Sequence, residues 1–416
     1  MFMSEKIRKG MAEGSWIRRM FDEGNTMKKR YGADKVFDLT LGNPVVEPPA
    51  EFVRELKKLT ENPTPGMHRY MENAGYFDTR AAVAAQLSKE TGLKLAAGDI
   101  VMTCGAAGAI NVVLKTILNA GEEVILFAPY FVEYLNYVDN HGGIVKIVPT
   151  SEQFLPQPEV LEKAIGKKTR AVIINSPNNP TGVVYSETLM RQIGEVLRKK
   201  EAQYDTEIYL ISDEPYRKLI YDGLKYPSPL LFHERAIVAT SHSKDLALPG
   251  ERIGYIAIHP ECLQKQELMD GFIYCNRTLG YVNAPALMQN VVRYLQDVTV
   301  SIADYQRKRD FLYQNLVEMG YSLVKPQGAF YMFPKSPIPD DVAFVRSLQE
   351  EMVLAVPGVG FGGKGHFRIS YCIDDRTLSG ALTAYARLLR NTGWDSVCHC
   401  ESFYGKTWQS DIAMSY

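Results

Sequence analysis

Through the middle of the chain, short apolar runs alternate with stretches whose apolar residues recur at helical spacing. Ile100 to Thr103 precedes a Gly/Ala turn and then an amphipathic run, Ile110 to Leu118. Glu123 to Phe127 (EVILF), Ala171 to Ile174 (AVII), Ile208 to Ile211 (IYLI) and Ala236 to Ala239 (AIVA) follow, each ending at polar or turn residues. Continuous apolar, β-branched runs separated by helices are what strands buried on both faces of a mainly parallel sheet require. The pattern predicts an α/β fold whose large domain has a mainly parallel sheet flanked by helices. Ligands of such sheets sit at the carboxyl ends of the strands, which directs attention to the residues just past each run. Beyond about Val292 the pattern changes. A long charged helical stretch (Tyr294 to Met319), a strand at Gly328 to Phe333, a helix at Asp341 to Glu351 and a strand at Phe367 to Tyr371 predict a smaller α+β unit.

At 416 residues the chain is long enough for a large core and a second unit. Lys and Arg total 47 against 48 Asp and Glu, so no bulk charge recruits nucleic acid or an anionic membrane, and any anion must be held by a few placed groups. The six cysteines (Cys104, Cys262, Cys275, Cys372, Cys398 and Cys400) form no Cys-x-x-Cys pair. Scattered thiols read as a reduced, cytoplasmic protein. Met1 to Tyr31 mixes both signs of charge without an apolar stretch, so no signal peptide is expected, and no apolar run reaches membrane-span length.

Four segments past strand ends carry candidate chemistry. In Thr240-Ser241-His242-Ser243-Lys244, followed by Pro249-Gly250-Glu251-Arg252, a lysine lies among small hydroxyl residues. Hydroxyls and an arginine can hold phosphate oxygens, and a lysine of lowered pKa can form a Schiff base. The alternative is a surface loop with one lysine and one arginine. Asp213, read as directly following a strand, can pair with a protonated pyridine nitrogen, and Tyr216 can donate to the ring's phenolic oxygen. Otherwise Asp-Glu-Pro-Tyr is simply a strand exit. In Asn175-Ser176-Pro177-Asn178-Asn179-Pro180-Thr181-Gly182 the prolines and glycine demand a defined turn, and Asn179 can reach the same oxygen. In Thr103-Cys104-Gly105-Ala106-Ala107, small residues opening a helix let backbone N–H groups approach a phosphate. Four strand ends each carrying one piece of a phosphate-bearing pyridine site are mutually supporting.

The Asn-Pro-Thr-Gly turn and the later Ser-x-Ser-Lys…Gly-Tyr segment make the sequence resemble the fold-type I, class I/II aminotransferases over about Leu39 to Leu389. The resemblance implies a pyridoxal 5'-phosphate enzyme moving an amino group between an L-amino acid, aspartate or another common one, and a 2-oxo acid. It implies that Lys244 is the Schiff-base lysine and proton shuttle. Asp213 would pair the pyridine nitrogen, and Tyr216 and Asn179 the phenolic oxygen. Ser241, Arg252 and the backbone at Gly105, Ala106 and Ala107 would hold the phosphate. Phe131 matches the family's ring-stacking aromatic, Arg368 the arginine that grips the α-carboxylate, and Gly42 a glycine near the substrate. Tyr70 resembles a tyrosine that reaches the neighbouring subunit's phosphate, which implies a homodimer with shared active sites. Phe131 as a core aromatic, Tyr70 as a locally packed residue and Arg368 as an ion-pair residue are the plainer alternatives. The expected organisation is an N-terminal arm and part of the small domain at 1–48, a large cofactor-binding domain at 49–292, a small domain at 293–393 and a poorly ordered extension at 394–416.

Some motifs lead elsewhere. Gly358-Val359-Gly360-Phe361-Gly362-Gly363 satisfies G-x-G-x-x-G but leads into a strand, so the dinucleotide reading fails. Cys398-His399-Cys400 offers too few ligands for zinc, and no metal is expected. One aspartate/prephenate branch of the family selects dicarboxylates with a phosphate-loop lysine, and here that place holds Ala107. Arg277 lies near where animal-type aspartate enzymes carry a side-chain-carboxylate arginine. Pointing into the site it favours acidic substrates, and facing solvent it favours neutral or aromatic ones. Two rival readings stand beside aminotransfer. A carbon–sulfur β-lyase on the same scaffold shares its first steps. A non-catalytic regulator does not need the Lys244, Asp213, Asn179 and Arg368 set, and no DNA-binding segment is visible.

Overall fold

The computed structural model describes residues 2–13 and 16–391. Helices α1 (Glu5–Glu13) and α2 (Trp16–Tyr31) precede strand β1 (Phe37–Asp38), and α3 (Ala50–Glu61) and α4 (Phe77–Thr91) lead into the main sheet. Its strands are β2 (Ile100–Thr103), β3 (Glu123–Ala128), β4 (Ile144–Pro149), β5 (Thr169–Asn175), β6 (Tyr209–Asp213), β7 (Ala236–Ser241) and β8 (Gly254–Ile258). Between them run α5 (Gly105–Ile117), α6 (Glu133–Asn140), α7 (Pro158–Ala164) and α8 (Glu187–Tyr204). The chain continues through α9 (Lys265–Thr278), α10 (Ala286–Val292), α11 (Ile302–Met319), β9 (Tyr331–Met332), α12 (Asp341–Glu350), β10 (Val353–Leu354), β11 (Val356–Pro357), β12 (Phe367–Ser370) and α13 (Asp375–Asn391).

The seven-stranded sheet has the order β2-β8-β7-β6-β5-β3-β4, and only β8 runs against its neighbours β2 and β7. The unbroken apolar runs have their cause in the burial of both faces. Val172, Ile174, Leu210 and Val238 pack in one hydrophobic cluster, while Ala171, Ile173, Ile211 and Ile237 pack in another. Alternate residues of one strand thus feed opposite cores, as a period of two demands. Ser186 caps α8 by accepting from the Leu189 amide at 3.2 Å, and Asp340 caps α12 from the Ala343 amide at 3.0 Å.

A third cluster unites both ends of the chain. Met20 and Leu39 pack with Phe330, Phe344, Phe367 and Tyr385, and β1 pairs in parallel with β10. The same cluster takes in Tyr216, Leu219 and Tyr221, which follow β6 of the main sheet.

Several expected boundaries shift. The helical stretch read from Tyr294 starts only at Ile302, because the Val300 amide bonds the Asp245 carbonyl at 2.7 Å and Ser301 then caps the helix. The strand read at Gly328 to Phe333 contracts to Tyr331–Met332. Ala329 adopts φ 57°, and the amides of Gly328 and Ala329 bond Gly182 and Leu219 rather than a partner strand. Asp213 is the last residue of β6, not the first beyond it. Strands β4 and β8 went unread: β4 is largely exposed or half-buried, and β8 begins at the end of a segment read for its chemistry. The 394–416 extension and Cys398-His399-Cys400 lie outside the described residues.

Packing is tight where α8 meets the loop before β7. A Cβ placed on Gly194 would stand 2.0 Å from the Phe232 carbonyl oxygen, a backbone atom that cannot swing aside. Gly194→Ala is expected to destabilise the protein by about 1–3 kcal/mol, read as a lower denaturant midpoint. Gly98→Ala, with nothing within 4 Å of the added carbon, is the control expected to leave the midpoint in place.

Candidate active site

Register brings the chemistry together. Parallel pairing sets Asn175 opposite Asp213 and Asp213 opposite Ala239, so β5, β6 and β7 deliver their carboxyl ends side by side. A cavity of about 280 Å³ opens there. Ala106 and Ala107 from the start of α5, Phe131 after β3, Asn179 after β5, Asp213 at the end of β6 and Ser241 at the end of β7 all line it. Tyr216, Lys244 and Arg252 line it from the following loops, and Gly42 and Arg368 close it from the second unit.

Helix α5 begins without a side-chain cap, since Cys104 at its N-cap makes no such bond. Its first N–H groups are therefore available to an anion at the cavity edge. Gly105 does not line the cavity but shapes it: it holds φ 75°, and a Cβ there would sit 3.0 Å from an Arg252 Nη. The guanidinium of Arg252 donates to the Pro249 carbonyl at 2.8 Å.

Asp213 is buried, and its Oδ2 accepts from the Tyr134 hydroxyl at 2.5 Å. Its Oδ1 has no hydrogen-bond partner. Burial pushes the carboxyl up to about 7, the Tyr134 bond working the other way. Asn175 supports this strand end twice, donating to the Asp213 carbonyl at 2.9 Å and accepting from the Asn179 amide at 2.7 Å.

The Lys244 amine donates to the Gly42 carbonyl at 2.5 Å. Burial lowers its pKa to about 8, Cys372 works in the opposite direction, and the cations of Arg252 and Arg368 add repulsion. Arg368 is buried, with one Nη on the Asn179 Oδ1 at 2.9 Å and the other on the Thr40 carbonyl, while its Nε has no partner. Tyr331 and Phe361 lie under its guanidinium at 4.5 and 4.8 Å. The three cations of the cavity thus bond neutral groups and face one buried carboxyl. Chemically, the arrangement can take an anion at the start of α5, a positively charged N–H at Asp213, a carboxylate at Arg368 and an electrophilic carbon at Lys244.

Two sequence candidates lie apart. Tyr70 is 90 % exposed and does not enter this chain's cavity. Arg277 is exposed, its guanidinium over the ring of Tyr274 at 5.5 Å. Sequence reasoning missed Tyr134, Asn175, Tyr331, Tyr137 and Ile17, all of which touch Asp213 or line the cavity. Asn175 was quoted in its turn without a role. Tyr134 could have been found as the residue one helical step beyond Phe131 on α6. Ile17 had no signal, for it reaches the cavity from the N-terminal helix.

With this geometry in view, the comparisons with known proteins are specific. The aminotransferase class I and II family matches residues 34–384. A probable aspartate/prephenate aminotransferase of Thermus aquaticus is 34 % identical over 368 residues, 87 % of this chain and 93 % of that protein. An aromatic-amino-acid aminotransferase of Thermococcus litoralis is 33 % identical over 94 % of this chain and 99 % of its own length. The crystal structure of an aminotransferase from Eubacterium rectale superposes with a TM-score of 0.91 at 37 % identity, covering 94 % of this chain and 99 % of that one. The chain belongs to the class I and II aminotransferases and is a pyridoxal-phosphate-dependent enzyme that transfers amino groups.

The lowered pKa of Lys244 is open to direct test. Its amine is neutral above about pH 8, whereas an exposed lysine remains an ammonium to about pH 10.4. In cofactor-free protein, reductive methylation followed by peptide mapping is expected to label Lys244 with a midpoint near pH 8. Labelling that rises only with the surface lysines would contradict this.

Proposed function

We propose that this aminotransferase attaches its cofactor through the Nζ of Lys244 and moves an amino group between an L-amino acid and a 2-oxo acid. The observation that carries the reading is the unpartnered, buried Oδ1 of Asp213, a residue that lines the same cavity as Lys244. A buried carboxyl lacking a partner is costly, and the protonated ring nitrogen of pyridoxal phosphate is the partner it lacks. The remaining donors fit the rest of the cofactor. Ser241, Arg252 and the α5 amides at Gly105 to Ala107 suit its phosphate, Tyr216 and Asn179 its phenolic oxygen, and Phe131 the face of its ring.

Pyridoxal phosphate supplies an electrophilic carbon and a conjugated ring that accepts the electron pair left when an α-proton departs. The chain's own residues do the rest. Arg368, backed by Asn179 and the Thr40 carbonyl, takes the substrate carboxylate, so the α-carbon faces Lys244. With pyridoxal phosphate and substrate bound, the Lys244 Nζ would accept the α-proton and would hand it back as the general acid. Asp213 stays ionised beside its new cation, and burial of the set keeps water from competing for the proton.

The solvent-facing Arg277 and the methyl of Ala107 support neutral or aromatic side chains over acidic ones. The protein is read as a cytoplasmic homodimer with shared sites. Among the described residues no helix is long and apolar enough to cross a membrane, and the exposed Tyr70 suits a contact with a second copy. The division of the chain after residues 48 and 292 is kept, supported by the pairing of β1 with β10.

Purified yellow protein should lose its visible band stoichiometrically when given a single amino-acid donor, and regain it on addition of a 2-oxo acid. Aromatic and neutral donors are expected to lead aspartate. An aspartate lead would mean that Arg277 reads acidic side chains across the dimer, and steady release of pyruvate and ammonia would make the enzyme a lyase. Lys244→Ala is expected to abolish turnover while the protein still binds the cofactor non-covalently. Full activity of that variant would refute the assignment.

A further inference from the structure

Tyr331, from β9, is buried and lines the cavity. Its hydroxyl lies 3.1 Å from that of Tyr216, with the two rings edge-on at 5.8 Å. Its ring lies under the Arg368 guanidinium at 4.5 Å. The space for this side chain is specific: a Cβ on Gly42 would stand 1.8 Å from the Tyr331 oxygen. Gly42 therefore holds two things in place, the Lys244 amine through its carbonyl and the Tyr331 hydroxyl through its lack of a side chain.

We propose that Tyr331 is a positioning residue with two separable parts: a hydroxyl that aims the Tyr216 proton into the cavity, and a ring that holds Arg368 at the carboxylate site. This rests on the reading that Tyr216 donates to the phenolic oxygen of the cofactor. A hydroxyl has one proton and two lone pairs. If Tyr216 spends its proton on the cavity, it can meet Tyr331 only as acceptor, so Tyr331 is the donor between them. That bond stops the Tyr216 hydroxyl from turning away, and it polarises the O–H and strengthens it as a donor. The ring acts by its π-face, which attracts a guanidinium more strongly when both are desolvated. Phe361 lies against the same guanidinium at 4.8 Å, so two aromatic rings support Arg368. Tyr216, Arg368 and Cys372 are the titratable groups that act on Tyr331, and no carboxylate is among them.

The two parts give different signatures in the holoenzyme. The Tyr216 donor favours the more anionic form of the bound chromophore, so weakening it raises the pH midpoint of the visible band. Tyr331→Phe keeps the ring and is expected to raise that midpoint by about half a unit, the scale of one neutral hydrogen bond. The affinity for a non-reacting carboxylate inhibitor should stay within about twofold, since the cation–π contact survives. Tyr331→Leu loses the ring as well and should weaken that inhibitor by about tenfold. In a Tyr216→Phe background, Tyr331→Phe should add no further shift.

An unchanged midpoint in Tyr331→Phe, or an equal shift with Tyr216 already replaced, overturns the hydroxyl's part. Unchanged inhibitor binding in Tyr331→Leu, with circular dichroism showing it folded, overturns the ring's part. Failure of the underlying reading looks different: the wild-type visible band would then not titrate at all, or would survive in Lys244→Ala.

Discussion

The burial of Asp213 is the constraint on which the rest of the site depends. Removing a carboxylate from water costs several kcal/mol unless charge or hydrogen bonds replace the lost solvation. Here one oxygen is satisfied by Tyr134 and the other is not, and burial pushes the group toward neutrality. The mirror image stands across the cavity, where Arg368 is buried among neutral groups and aromatic rings. An anion without a full partner and cations bonded only to neutral groups share one cavity. Its polarity is complementary to a molecule with a cationic ring nitrogen, a phosphate and, on the substrate, a carboxylate. The parallel sheet delivers Asp213 at an aligned strand end, and Arg368 reaches the same cavity from β12 of the other unit, so the opposite charges share the space from different elements.

Much of this was legible in the sequence where one local segment carried both the element and the chemistry. The runs at Ile100, Glu123, Ala171 and Ala236 are strands because both faces of the sheet are buried, which leaves an unbroken apolar signature. Lys244 and Asp213 could be singled out because each is a polar residue at or just past such a run. What stayed hidden was contributed from far away in the chain. Ile17 sits on a helix whose amphipathic pattern says nothing about a cavity lined mostly by residues from Ala106 onward. Tyr331 was read as part of a strand, and nothing local marks its hydroxyl as the partner of Tyr216. Gly42 could be named by resemblance, but the reason it must be glycine is the Tyr331 oxygen. Boundaries failed for a related reason: the amides of Gly328 and Ala329 are claimed by the loops at Gly182 and Leu219, a tertiary demand that overrides the apolar run.

The division of labour between the two packing units bears on catalysis. Lys244 and Asp213 grow out of the main sheet, whereas Arg368, Tyr331 and Gly42 belong to the unit that both chain ends build. On the proposed roles, a substrate gripped by its carboxylate on one unit and deprotonated at its α-carbon from the other would be oriented only as well as the two units are registered. Such positioning is worth orders of magnitude in rate, so contacts across the boundary matter as much as the groups that touch substrate. The loop after β6 supplies them. It leaves the sheet at Asp213, sends Tyr216, Leu219 and Tyr221 into the other unit's core, and ties Asp222 to the buried Arg309 of α11 at 2.7 and 2.8 Å. The Tyr216–Tyr331 bond lies where that loop crosses the cavity. A single turn of chain thereby links the buried carboxyl of Asp213, the hydroxyl of Tyr216 and the aromatic floor beneath the Arg368 guanidinium.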